Sequence, residues 1–364
     1  MNNILFAIRQ FYKRVYKNRY GLFRKYPWIT LFTLLIFLFL VIIFSIGIGS
    51  VSISWLDSLK VILKNVWVFN DVVVDERFNK IIWEIRLPRV LSAALIGASL
   101  AISGAIFQAL FRNHLADPYL IGASGGAALA GVLLLTSSIP SFIFGINIFP
   151  LVAFLGSFLA VLLAFFISQK TLTGNLSGLL LAGIAISAFT GSLTSLVMLT
   201  SEPDIKPVFS WLLGGLSNTS WKAFLGVLPF FSVGTLLIIL LSRLLNVLSL
   251  STNEAINLGV DIKKFRIIFI VIASFLTASA IALSGPIGFI GLISPHISRM
   301  ILGTDNRIVV VTSLLIGALL LVSADLIART IINPATLPVG IIVAFVGVPF
   351  FIYLLIKAKN RNYT

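Results

Sequence analysis

Stretches without a single charged side chain alternate with short charged clusters along this chain. The uncharged intervals are 26–56, 90–111, 118–169, 171–201, 223–242, 267–298, 308–324 and 330–356. Because one charge at a bilayer centre costs about 2.5–3.5 kcal/mol on insertion scales, such intervals mark segments built to lie in lipid. Two are too long for one helix. Ser137-Ser138-Ile139-Pro140 with Asn147 and Pro150 breaks the first, and Ser284-Gly285-Pro286-Ile287-Gly288 breaks the second. The pattern predicts an all-α polytopic membrane protein of about ten transmembrane helices, at about 20 residues each. The spans are expected near 28–49, 90–111, 118–137, 150–169, 176–199, 223–242, 267–284, 287–302, 308–328 and 339–356. They form one transmembrane domain over 28–357, between an N-terminal extension (1–27) and a tail (358–364).

Two loops carry helical patterns of their own. Trp55, Leu59, Ile62, Leu63 and Val66 share one helical face, with Ser54 three residues before Asp57 as a start signal, which predicts a helix lying on the outer membrane surface. On the other side, Ser251 and Glu254 have capping-box spacing and Gly259 closes the segment, predicting a short cytoplasmic helix over 251–259. Within the spans, Gly97 with Ala101, Gly122 with Gly126 and Ala130, and Gly183 with Ser187 and Gly191 repeat at four-residue spacing. In lipid such faces bring helices close together.

Composition agrees with a membrane protein. Of 364 residues, 59% are hydrophobic and 11% charged, against roughly 25% charged in soluble domains. The net charge of +15, from 27 basic and 12 acidic residues, does not indicate nucleic acid, because no soluble basic face carries it. Arg9, Lys13, Arg14, Lys17, Arg19, Arg24 and Lys25 make the extension basic, and the apolar run behind it is longer than a cleavable signal allows. Threading the spans from a cytoplasmic N-terminus leaves about two thirds of the basic residues inside, which places both termini in the cytoplasm.

Little reactive chemistry is written here. Cysteine is absent, which excludes disulfides and thiolate metal sites. His114 and His296 each lack a second histidine or a carboxylate at ligand spacing, so no metal is expected. No Gly-Lys pair occurs, so the lysine-bearing phosphate loop is missing. The chain is therefore not expected to be an enzyme or to bind a cofactor; if it pumps, the motor with its ATP and Mg is another subunit. An ion-coupled secondary transporter would need coupling carboxylates within its spans, and a membrane-embedded enzyme would need clustered His, Asp or Glu. Asp325 and Arg329, at i and i+4 near an outer helix end, read as an ion pair or a docking contact.

Several segments resemble the permeases of type II ABC importers for ferric siderophores, haem and cobalamin. They are Arg86-Leu87-Pro88-Arg89, GASLAISGAIFQ from Gly97 to Gln108, Arg112-Asn113-His114-Leu115-Ala116-Asp117-Pro118, Gly122 to Ala127, and SGPIGFIGLISPHISR from Ser284 to Arg299. Asp325 to Arg329, Leu337-Pro338-Val339-Gly340 and Gly347 to Phe351 follow in the family's order. The family's usual Asn-Pro-Leu-Ala reads Asn113-His114-Leu115-Ala116 here. The resemblance implies a multi-pass subunit of a prokaryotic cytoplasmic membrane, with the type II importer permease fold. Implied partners are a second permease subunit, the same or homologous, two cytoplasmic ATPase subunits, an external substrate-binding protein and membrane lipid. It further implies that Arg86, Arg89 and Arg329 meet acids of the binding protein. Ser251, Glu254, Ala255, Ile256, Leu258 and Gly259 would couple to the ATPase, and Asn113, Leu115, Asn175 and Ser177 would stand near the inner gate. Gly183, Ser187 and Gly191 are the candidate translocation path, and a ferric siderophore is the expected cargo, with haem or cobalamin as alternatives.

Overall fold

A backbone in lipid has no water to bond with and satisfies itself as helix, so the charge-free intervals set the architecture. The computed structural model describes residues 26–49, 51, 53–66, 74–137, 139–140, 142–143, 146–170, 176–201, 205–216, 219–250, 252–258, 260–332 and 335–361. The long helices are α1 (Pro27–Gly47), α4 (Leu87–Phe111), α6 (Phe149–Lys170), α7 (Leu176–Thr200), α9 (Trp221–Leu248), α11 (Ile262–Ser284), α13 (Asn306–Thr330) and α14 (Val339–Arg361). Shorter ones are α2 (Trp55–Asn65), α3 (Glu76–Asn79), α5 (Ala123–Thr136), α8 (Ile205–Leu212), α10 (Thr252–Asn257) and α12 (Ile290–Leu302). A two-residue ribbon pairs Phe142–Ile143 with Ile146–Asn147 between α5 and α6. Among the described residues, seven helices are long and apolar enough to cross a membrane, and Ala123–Thr136, Ile290–Leu302 and Val339–Leu354 are shorter apolar helices.

Several boundaries differ from expectation, each for a local reason. The second span does not begin at 90: α3 runs through a π-helical segment, Lys80–Arg86, directly into α4, making a 36-residue rod from Glu76 to Phe111. Its charges are tolerated because Glu76, Arg77, Lys80 and Glu84 are exposed while the buried Arg86 and Arg89 are bonded within the chain. The third span is a 3-10 turn, Pro118–Ile121, followed by α5, because Gly122 takes a left-handed backbone (φ +95°) between them. The eighth begins at Ile290, since Phe289 is itself left-handed at φ +67° and stops any earlier start. α8, with a proline near its start, is too short for hydrophobic periodicity to reveal. In α2, Ser54 Oγ accepts from Asp57 N at 3.1 Å as the start signal predicts. The bundle covers Ser58 and Val61 of that helix, while Trp55, Leu56, Leu63 and Val66 stay exposed.

The core centres on α4. The most apolar stretch of its rod is 89% buried, against 22% for α1, α7 and α9. Two contacts explain this depth. A Cβ on Gly97 would strike the Gly317 carbonyl of α13, and one on Gly104 would strike the Gly291 carbonyl of α12. Backbones touch at both points, which only glycine permits, and close packing of this kind replaces the hydrophobic drive that lipid does not supply.

Candidate functional site

Three places along the bundle carry polar chemistry. At one end, Asp325 of α13 is fully buried and accepts from Arg89 Nε and Arg329 Nε, both at 2.9 Å. Arg329 also donates to the Ser45 carbonyl (3.0 Å), Ser45 Oγ (2.7 Å) and the Ile48 carbonyl (3.1 Å). Arg86 donates to the carbonyls of Ile46 (2.9 Å), Gly47 (2.8 Å) and Val51. Arg86 and Arg329 therefore cap the last carbonyls of α1, where a helix leaves acceptors unpaired and favours positive charge. A Cβ on Gly49 would crowd the Arg86 guanidinium, which would have to shift to admit it. The three arginines that the resemblance sets against acids of a binding protein, Arg86, Arg89 and Arg329, are 5%, 9% and 7% exposed, and their bonds run within the chain.

The second place is where two helices start behind irregular backbone. Asp117 Oδ1 accepts from Tyr119 N (2.9 Å), and its Oδ2 accepts from Phe289 N (3.1 Å), joining the turn before α5 to the start of α12. Gln108 of α4 reaches the same junction, with Nε2 near the carbonyls of Ala116 (3.3 Å) and Leu292 (3.2 Å) and Oε1 accepting from Arg299. Left-handed Gly285 packs against the Trp211 carbonyl, and Gly215 N donates to the Ser284 carbonyl at 2.8 Å, so the linker after α8 holds the break between α11 and α12. A cavity of about 510 Å³ opens here, lined by Leu115, Asp117, Leu213, Phe289, Ile341 and Phe351 among others. Among the described residues Asp117 is its only charged lining residue, and both of its oxygens are occupied by backbone N–H groups.

Third comes the opposite end of the bundle, where α10 lies. α10 falls within the expected 251–259 segment. Ala255 is fully buried against the chain itself, while Glu254 and Leu258 are exposed. Ser251 and Gly259 lie outside the described residues, and of Ile256 only its place in α10 is described. Asn113 Oδ1 accepts from Leu115 N at 2.9 Å, a local turn that sets Leu115 toward the cavity. Asn175 lies outside the described residues, and Ser177 is placed only as part of the first turn of α7. The Gly183, Ser187 and Gly191 face divides. Gly183 and Ser187 pack against Gly122 and Gly125 beside α5, whereas a Cβ on Gly191 would meet nothing within 4 Å. None of the three lines the cavity.

Sequence reasoning missed the joint roles of Gln108, Asp117 and Asn246, whose partners lie far away in the chain. His114 and His296 come close enough to interact electrostatically, but among the described residues no group of three or more His, Cys, Asp or Glu could hold a metal ion.

Known proteins share this arrangement. The model of the FecCD transport family matches residues 35–357. The cobalamin import system permease protein BtuC of Halobacterium salinarum is 40% identical over 289 residues, covering 79% of this chain and 76% of that protein. The hemin transport system permease protein HmuU of Yersinia pestis is 36% identical over 343 residues, 93% of this chain and 98% of that one. Among solved structures, a metal-chelate type ABC transporter in an inward-facing conformation superposes with a TM-score of 0.79 at 32% identity, covering 91% of this chain and all of that one.

Proposed function

The chain belongs to the FecCD transport family, and from that premise we propose that it carries a ferric siderophore inward as the membrane-spanning subunit of an ATP-driven importer. Membership makes it an ABC permease of the iron-chelate, haem and cobalamin importers, with the type II importer permease fold, in the cytoplasmic membrane. It is a membrane permease and not a catalytic subunit, and it works with a partner permease and ATPase subunits. The finer reading adds two ATPase subunits below, an external binding protein above and ten crossings with both termini inside. Siderophore is preferred as cargo because it is the commonest cargo of the family that the motifs resemble.

The observation that carries the mechanism is the chemistry of the cavity wall. Its single carboxylate among the described residues is fully engaged with backbone donors and the rest is mostly apolar, so the wall offers a bulky anionic or neutral chelate no strong grip. Affinity then rests with the external protein, and the energy for release comes from differential contacts made by the ATPase in two access states. α10, with Glu254 and Leu258 turned outward, is the contact for that ATPase. At the outer end, three arginines and one aspartate leave a net positive charge just beneath the surface. Arg86 and Arg329 bond helix-end carbonyls and Arg89 pairs with Asp325, so the cluster steers an acidic binding protein chiefly through long-range potential.

The test is transport in proteoliposomes holding the permease with its ATPase, ATP inside and the binding protein outside. ATP-driven uptake of a ferric siderophore without any ion gradient, unaffected by a protonophore, is expected. Uptake of haemin or cobalamin in its place would overturn the cargo. Uptake by this chain alone, driven by an imposed pH or sodium gradient, would overturn the mechanism.

A further inference from the structure

We propose that Asn246 is a positioning residue that holds the foot of the ATPase-facing helix α10 against α13, so that the gate turn, tied to the same foot through Arg112, follows α10 when it moves. α9 ends at Leu248 and α10 begins at Thr252, so the end of α9 is the foot on which α10 stands. That foot is tied on two sides. Asn246 Nδ2 donates to Asp305 Oδ1 at 2.7 Å, and its Oδ1 accepts from Asn306 N at 2.8 Å. Asn306 Nδ2 donates back to Ser249 Oγ at 3.2 Å. On the other side, Arg112 donates through Nε (3.3 Å) and Nη2 (3.2 Å) to the Leu248 carbonyl.

The targets of these bonds give them meaning. Asp305 is the N-cap of α13, and an ion pair to Arg307 at 2.6 Å already fixes its carboxylate. α13 then runs to the outer cluster, where Asp325 holds Arg89. Arg112 caps α4 in a left-handed conformation (φ +51°) immediately before Asn113 and Leu115, the turn that reaches the cavity. A displacement of α10 therefore meets two hydrogen-bonded ties, one into α13 and one into the gate turn, forming a contiguous physical network. Asparagine suits this place because one planar amide supplies a donor for a carboxylate and an acceptor for a helix-start N–H together. Leucine has neither, and aspartate would set a second carboxylate against Asp305.

This inference rests on the reading that an ATPase engages α10, and the experiment keeps the two apart. The chain has no cysteine, so Leu115→Cys introduces a single reporter at the gate. Its maleimide labelling rate is measured in the purified permease–ATPase complex, without nucleotide and with MgATP plus vanadate. A nucleotide-dependent change is expected, and its absence in this background would speak against the ATP-driven reading itself. Adding Asn246→Leu is expected to shrink that change at least about 5-fold, the lower range of measured coupling between sites, while the ATPase still copurifies and hydrolyses ATP. The swapped pair Asn246→Asp with Asp305→Asn should restore it, and Asn246→Asp alone should not. An undiminished response in assembled Asn246→Leu overturns the proposal. If that variant does not assemble, Asn246→Gln decides: its longer arm keeps both groups for folding but cannot hold both partners at once. A weakened response then supports the link and a full one refutes it.

Discussion

Replacing Asp325 by asparagine removes the only negative charge from a site that holds Arg89 and Arg329, and the structure allows the consequence to be sized. The carboxylate is fully buried and the two guanidiniums are 9% and 7% exposed, each 2.9 Å from it. Asparagine is isosteric with aspartate, so packing is kept and only charge and one acceptor are lost. Breaking a buried pair by removing one partner typically costs about 3–5 kcal/mol, because the remaining charge is left without compensation. At about 2 °C per kcal/mol for a large chain, the melting temperature in detergent should fall by about 6–10 °C. Arg329 keeps its bonds to Ser45 and Ile48, so most of the loss falls on Arg89. Adding Arg89→Leu to Asp325→Asn should therefore recover part of the stability, although Arg89→Leu alone should also destabilise. Fluorescence-detected size-exclusion after heating measures all three variants. A melting temperature for Asp325→Asn within about 2 °C of the parent would refute the reasoning, since it would mean that water or lipid already solvates the arginines.

Three more expectations follow from packing and charge. Gly104→Ala drives a methyl into the Gly291 backbone and should cost about 1–3 kcal/mol, whereas Gly191→Ala meets open space and should stay within about 0.5 kcal/mol of the parent; thermal unfolding separates them. Leu258→Arg should reduce copurification of the ATPase with unfolding unchanged, while Ala255→Arg should lower the melting temperature, because Ala255 is buried in this chain and Leu258 is exposed. At Asp305 burial alone pushes the carboxyl upward, but hydrogen bonds from Arg307 and Asn246, with the Arg307 charge, bring it below the usual aspartate range. A lowered folded value gives stability that is present above the ordinary pKa of about 3.9 and lost as pH falls through the folded value. Asp305→Asn should thus destabilise at pH 7 by more than at pH 4, read from paired melting curves.

What the sequence displayed was the cost of charge in lipid, and this is why helix positions were legible. The long helices and the Ser54 start of α2 follow from charge, capping and apolar runs, and α10 lies within the 251–259 segment marked for a short helix. Tertiary pairing was not legible. Arg86, Arg89 and Arg329 read as rim charges because nothing in their neighbourhood announces that α1 ends against them. Gly183, Ser187 and Gly191 do not share one environment, because eight residues turn a helix about 80° beyond two full turns and Gly191 stands off the face of Gly183. Gln108 sat inside a recognisable motif, yet its task of joining α4, the 113–117 turn and α12 exists only once all three are in place.

The burial of α4 also has a consequence for how the protein is made. α4 is among the first helices to leave the ribosome, but its partners are among the last: Asp325 lies 236 residues after Arg89, and Arg299 lies 191 after Gln108. At about 5–20 residues per second, Arg89 waits on the order of 10–50 s for its counter-charge. Throughout that interval a half-made chain holds an arginine without its counter-charge and an amide oxygen without Arg299. The N-terminal half is thus a dependent intermediate. A chain cut short before α13 keeps Arg89 without its counter-charge, the costly state that the complete fold relieves.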